Sequence, residues 1–273
     1  MYVCPDCKGQ LRDWHCKNCG VTFGERSGVR ELLSREARFA SAPVIGGVYD
    51  DIYTRRSQVW EDQGRTPEFI AYFTDLAATC SAGRLLEIGC GEGFLLEQLR
   101  AAEKFAIDVS AEALRRTHAR TGARVSVALA ERLPFADHAF DLIVSVGVME
   151  HFLDDRAATA EIWRVLKDGG WYLALIHVQR TTRDKTLQKL REYVYPHFRP
   201  LALLRWVGGK LHRPIQQPIQ NDYTIESART LLEAQGFEVV RIISRSSEPA
   251  APLVGPHVII YVGRRRPALA RAA

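Results

Sequence analysis

The sequence predicts an α/β fold, a largely parallel sheet with helices on both faces, preceded by a small cysteine-stapled ribbon. Three features point there. From residue 84 onward, short apolar runs alternate with stretches of helical spacing, the pattern of strands joined by crossover helices. The first run (Leu85, Leu86, Ile88) breaks into glycines at 89, 91 and 93, after which helical spacing resumes through Leu95, Leu96 and Leu99. Two Cys-x-x-Cys pairs, Cys4/Cys7 and Cys16/Cys19, precede all of this.

The chain divides into a ribbon at 1–33, a linker with cap helices at 34–83, an α/β domain at 84–266 and a disordered tail at 267–273. In the ribbon, each Cys-x-x-Cys knuckle lets two thiolates converge on one ion, and Gly20 relieves crowding behind the second pair. Four thiolates suit tetrahedral zinc with no open position, which makes the metal a structural staple and not a catalyst. A segment this short buries no core of its own, so the metal supplies its folding free energy. His15, beside Cys16, is either an alternative ligand or a solvated loop side chain.

Thr66-Pro67 is a helix start in the cap region. Within the α/β domain, strands are expected at Phe105–Asp108, Arg124–Ala128, Phe140–Val146 and Trp171–Ile176, with a helix at Ala111–Thr121. Another helix is expected to open at Ser145–His151. Thr224–Gln235 is expected to be helical, and Phe237–Ile243 and His257–Val262 to pair antiparallel and close the sheet. Glycine is required where backbone takes positive φ or approaches a ligand closely, so the 89–93 turn offers a floor without side chains beside a helix N-terminus. Asp108, ending the second strand of the domain, can accept hydrogen bonds from ribose hydroxyls. A nicotinamide-type fingerprint wants glycine at position 94, where Phe94 stands.

Glu87 leading into Gly89-x-Gly91-x-Gly93, with Asp108 following, resembles motif I of the class I S-adenosylmethionine (SAM) dependent methyltransferases of the type 11 kind. The blocks Ala130–Phe135, Asp137–Asp141, Ser145–His151 and Leu166–Gly170 are similar to later motifs of that family. The resemblance implies a seven-stranded Rossmann-like sheet and SAM as cofactor. It places Glu87 and the three glycines under the methionine part, and Asp108 with Val109 at the ribose. Leu129, Ala130 and Glu131 then flank the adenine, and Ser145 and Val146 end the fourth strand beside the cofactor. The family usually has aspartate where Leu129 stands, so adenine is held by backbone groups of Ala130 and Glu131 and by apolar contact with Leu129. An aromatic ahead of the first strand often touches the cofactor in this family. Tyr53 or Tyr49 fills that role, or both only pack the cap helix.

The interval 177–222 is too long for a simple connection in a compact domain and reads as a lid that chooses the acceptor. If the acceptor must lose a proton, the candidate bases are His151, which matches the family's Glu-His after the fourth strand, His177 and His197. Cys80 and Cys90 read as buried, inert thiols. The net charge of +5 permits RNA binding without requiring it, and no apolar run is long enough to cross a bilayer. The Met-Tyr-Val-Cys start lacks the features of a secretion signal, so a cytoplasmic protein is expected.

Three functions follow. The leading one is methyl transfer to a hydroxyl, amine or activated carbon of a small-molecule metabolite. The chain lacks an Asn/Asp-Pro-Pro-Tyr block after the fourth strand, which base-amino methyltransferases carry. The ribbon also resembles N-terminal ribbons found both on rRNA guanine methyltransferases and on small-molecule enzymes, so RNA is the second reading. A non-catalytic binding module is the third.

Overall fold

A computed structural model describes residues 1–39, 42–55, 66–80, 82–178, 220–253 and 257–264. The expected lid lies almost wholly outside these residues, as do His197 and the tail at 267–273.

The N-terminal ribbon holds a short hairpin, β1 (Leu11–Arg12) and β2 (His15–Cys16), and a second hairpin follows, β3 (Glu25–Arg26) and β4 (Val29–Arg30). Helices α1 (Arg35–Phe39), α2 (Ala42–Arg55) and α3 (Pro67–Ala78) lead into the main domain. The Thr66 side chain caps α3 by accepting from Phe69 N, with Pro67 in the first turn.

The domain then runs β5 (Arg84–Ile88), α4 (Phe94–Gln98), β6 (Glu103–Asp108), α5 (Ala111–Thr121), β7 (Arg124–Val127), β8 (Phe140–Val146), α6 (Asp155–Val165) and β9 (Leu166–His177). It finishes with α7 (Ile225–Ala234), β10 (Phe237–Ile243) and β11 (His257–Arg264). The seven strands β5 to β11 form one sheet in the order β10-β11-β9-β8-β5-β6-β7. Neighbours from β9 to β7 are parallel, and β11 runs antiparallel between β9 and β10. The order reverses at β5, between β6 and β8, which is where an open α/β sheet leaves a crevice at its strand ends.

Strands buried on both faces need apolar residues at successive positions, and β5 and β8 show it. Leu85 packs with α3, α4 and α5 through Phe73, Leu96 and Leu114, whereas Leu86 faces the opposite layer with Phe105, Phe140 and Ile162 of α6. Helix α5 is held at both ends. Ser110 Oγ accepts from Ala113 N, and Gly122, at φ 66°, receives the chain in a left-handed C-cap.

Two segments depart from their sequence reading. The block Ser145–His151 does not open a helix. It forms the end of β8 and a 3₁₀ turn at Met149–His151, and α6 begins only after Asp154, whose side chain accepts from Ala157 N. The ninth strand starts at Leu166, not Trp171, because Leu166 pairs with Phe140 before residues 167–170 bulge out of register. Lys167 Nζ, 2.7 Å from Asp141 Oδ1, pins that bulge.

The ribbon is not a free appendage. Val3 N donates to Pro134 O and Ala136 N to Met1 O, and Lys8 Nζ lies 2.6 Å from Glu161 Oε2. Tyr2 stacks between Trp14 and Phe135. Beyond it, Leu32 N donates to Val127 O and Glu31 bridges Val127, so this segment continues the sheet past its β7 edge.

Candidate functional site

The strand ends at the crevice enclose a cavity of about 340 Å³, in the size range of small-molecule sites. Its walls follow the sheet order. From β7 and its turn come Ala128, Leu129, Ala130 and Glu131; from β6, Asp108 and Val109; from β5, Ile88, Gly89 and Gly91. Val146, Gly147 and Val148 follow β8, then Leu175 and His177 come from β9 and His257 from β11. Helix α2 adds Ile45, Tyr49 and Tyr53, α3 adds Phe69, and the turn after β8 adds Glu150 and His151. At ~4.8 Å per strand, the six strand ends from β7 to β11 span about 24 Å, room for a nucleoside at one end and an acceptor at the other.

The glycine turn is bare for a geometric reason. Gly89 and Gly91 have φ of 65° and 53°, and a Cβ on them would lie 2.4 Å from Val148 Cγ2 and 2.8 Å from Tyr53 Oη. Gly93, at φ 79°, caps α4 and packs on Thr117 without facing the cavity. Asp108 is 9% exposed, its Oδ2 accepting from Gly91 N and its Oδ1 from Ser110 N, each at 2.9 Å. Each oxygen retains a further acceptor position. Burial pushes this carboxyl above the ordinary range, against the pull of the Ser110 and Gly91 amides. A ligand that brings hydroxyl donors meets a fixed, poorly hydrated acceptor here.

The other expected cofactor residues divide into two groups. Tyr53, Val109, Leu129, Ala130, Glu131 and Val146 line the cavity with the glycines and Asp108. Glu87 and Ser145 are buried behind the wall, Ser145 Oγ lying 2.8 Å from Tyr172 Oη. Glu131 Oε1 accepts from Leu153 N at 2.7 Å, so this carboxylate shapes the 151–153 wall. Of the candidate bases, His151 and His177 both line the cavity, and His197 lies outside the described residues.

Two groups at this end went unnoticed in the sequence. His257 stands opposite His177 in the β9/β11 register, their rings 5.0 Å apart and nearly perpendicular. Glu150, 5% exposed, accepts from His177 N at 2.6 Å through Oε1, and its Oε2 is buried with no hydrogen-bond partner. Burial raises its pKa, and the neighbouring His151 and His257 act against that rise. The Glu-His pair after the fourth strand was a visible signal for Glu150. Nothing local marks His257, which the hairpin register brings in.

At the N-terminus the Sγ atoms of Cys4, Cys7, Cys16 and Cys19 lie within 4.8 Å of one another, with Cys4–Cys19 at 3.9 Å and Cys7–Cys16 at 3.5 Å. A tetrahedral site with ~2.3 Å metal–sulfur bonds has sulfurs about 3.8 Å apart, so these four can hold one ion. The two knuckles fold alike: Lys8 N donates to Cys4 O and Gly20 N to Cys16 O, with Lys8 and Gly20 at φ 58° and 69°. His15 is not in the set, and its Nδ1 pairs with Thr22 Oγ1 at 2.9 Å. Cys80 and Cys90 are buried and form no disulfide.

Among the described residues no helix is long and apolar enough to cross a membrane. The family model described as a methyltransferase domain matches residues 86–174. A probable SAM-dependent methyltransferase of Mycolicibacterium smegmatis is 33% identical over 36% of this chain and 39% of its own length. The uncharacterized methyltransferase YcgJ of Bacillus subtilis is 28% identical over 63% of this chain and 76% of its own. The chain spans about two fifths of the length of the mycobacterial relatives it matches. Two solved structures share the fold. A SAM-dependent methyltransferase from Thermotoga maritima, titled a possible histamine N-methyltransferase, has a TM-score of 0.56 and 21% identity. It covers 81% of this chain and 100% of its own. The other, a complex between the Haloferax volcanii Trm112 methyltransferase activator and a methyltransferase, has a TM-score of 0.57 and 16% identity, over 80% of this chain and 98% of its own. Residues 86–174 thus match a methyltransferase domain, and the sheet around them has the fold of SAM-dependent methyltransferases.

Proposed function

We propose that this chain transfers a methyl group from SAM to a hydroxyl, amine or activated carbon of a small-molecule metabolite, with a structural zinc ion held by Cys4, Cys7, Cys16 and Cys19. The observation that carries the reading is one cavity with two chemically distinct ends. The end at β5 to β7 offers a side-chain-free glycine floor, the buried Asp108 carboxylate and apolar cover from Leu129, which suits a nucleoside. The opposite end gathers His151, His177, His257 and Glu150, which suits an acceptor that carries a proton.

When bound, SAM supplies an electrophilic methyl carbon on a sulfonium. The chain's part is to seat the nucleoside against Asp108, hold the acceptor near that carbon and receive the acceptor's proton, and positioning supplies most of the acceleration. His177 and His257 are the groups that take the proton, and Glu150 holds the His177 backbone in place. Zinc with four thiolates has no open position, so it takes no part in the reaction.

The test is transfer of labelled methyl from SAM into a pool of low-molecular-weight metabolites. Label is expected in that fraction. His257→Asn should reduce transfer about a hundredfold while SAM affinity stays within twofold. Label appearing in rRNA, or in nothing, contradicts the small-molecule reading.

A further inference from the structure

The hairpin that follows the two cysteine pairs carries no cysteine, yet its Arg26 donates to the Val109 carbonyl at the cofactor end of the cavity. The guanidinium makes three contacts. Nη2 donates to the Val109 carbonyl at 2.7 Å, Nη1 to Asp50 Oδ2 at 2.9 Å, and Nε lies 3.4 Å from Glu31 Oε1. Val109 is the residue after Asp108, and both line the cavity. Asp50 sits on α2 and is engaged on its other side too, its Oδ1 accepting from Ser110 Oγ at 2.6 Å and Glu112 N at 3.1 Å. One arginine thus ties the end of β6 to the cap helix, and one aspartate ties that helix to the start of α5.

The helix is built for this clamp. Ile45, Tyr49 and Tyr53, spaced four apart, share one face and line the cavity. Gly46 and Asp50, one residue further along, share the adjoining face toward Arg26. A Cβ on Gly46 would lie 2.9 Å from Val109 O and 3.0 to 3.1 Å from the two terminal guanidinium nitrogens, so the helix seats on the arginine with no room for a methyl group. A planar, two-pronged donor does what a lysine ammonium cannot, engaging a carbonyl and a carboxylate together in fixed geometry.

We infer that Arg26 is a positioning residue for the nucleoside, clamping the α2 cap, with Tyr49 and Tyr53, against the Asp108–Ser110 corner. This makes the segment after the cysteine ribbon part of the cofactor seat. The inference rests on the SAM reading, and the experiment separates the two.

Calorimetry with SAM and with its demethylated product is run on wild type, Arg26→Ala, Arg26→Lys and Arg26→Ala/Asp50→Ala. Arg84→Ala serves as a control, since its side chain pairs with Glu103 at the start of β5 and β6. Arg26→Ala should weaken both nucleosides about tenfold, from the loss of two charge-assisted hydrogen bonds at a partly exposed site. Arg26→Lys should recover only part of that, the double variant should bind more weakly than Arg26→Ala because it also loses the Asp50 bonds to Ser110 and Glu112, and Arg84→Ala should match wild type. Hydrogen exchange supplies the readout that general destabilisation would not reproduce. With Arg26→Ala, amides 45–53 should lose the protection that nucleoside gives them in wild type, while β5 and β8 amides keep theirs. A wild type that binds, together with an Arg26→Ala variant that binds within twofold of it, overturns this inference alone. A wild type that gives no heat overturns the SAM reading and this inference with it.

Discussion

Replacing Asp108 with alanine should weaken SAM binding about a hundredfold, from the loss of roughly 3 kcal/mol of charge-assisted hydrogen bonding to the ligand. The carboxylate is held between Gly91 N and Ser110 N in a buried corner, so no water or neighbouring side chain takes over its acceptor role. The same substitution leaves those two amides without their acceptor. That should cost about 2 kcal/mol of stability, after the benefit of removing a poorly solvated carboxylate. Asp108→Asn keeps the shape and removes the charge. Its carbonyl oxygen accepts from only one of the amides and its NH2 group faces the other N–H, so stability should fall at least as much, and affinity should still fall more than tenfold. Calorimetry and thermal denaturation on the two variants check both numbers. Unchanged affinity in Asp108→Ala would show that the ribose is seated elsewhere.

Removing the metal from the ribbon should have the largest effect on stability. Four sulfurs within 4.8 Å of one another sit in a small buried cluster of Cys4, Cys16, Phe23 and Leu32, with Tyr2, Leu11, Trp14, Cys19 and Val21 half-buried against it, too little to hold residues 1 to 23 folded. Zinc bound to such a set contributes on the order of 10 kcal/mol. Purified protein should carry one zinc per chain by elemental analysis. Stripping it, or replacing Cys4 and Cys16 with serine, should release residues 1–23 to rapid hydrogen exchange. The sheet core should persist, because its two faces are built from β5 to β11 and their helices. The docking contacts of Val3, Lys8 and Tyr2 on the 133–161 region should be lost with it. Zinc-free protein with an unchanged unfolding profile would contradict the structural role.

Much of this was legible in local sequence because the determinants are local. The glycines at 89 and 91 take positive φ in a tight turn, and Asp108 ends a strand two elements later, so their spacing pointed to residues that the structure sets on the cavity wall. The four cysteines declared themselves by knuckle spacing in the same way. What escaped depended on pairing across long separations. His257 reaches the cavity only because β11 inserts between β9 and β10 in a register that sets it opposite His177. Arg26 looks like an ordinary hairpin cation until α2 folds over it. The helix expected from Ser145 fails for a related reason. Glu150 is drawn inward to the His177 amide and Glu131 captures Leu153 N, so the chain turns before Asp154 can start α6. Glu87 and Ser145 belong to motif blocks yet stand behind the wall, since each lies one residue short of its strand's carboxyl end, where Ile88 and Val146 reach the cavity.

Direct titration of zinc-loaded protein with SAM and with its demethylated product tests the proposed nucleoside seat most directly. Saturable heat at one site per chain with both ligands, abolished or greatly weakened by Asp108→Ala, is the predicted result. Absence of heat with either ligand, under conditions where the protein is folded and holds its metal, would contradict it.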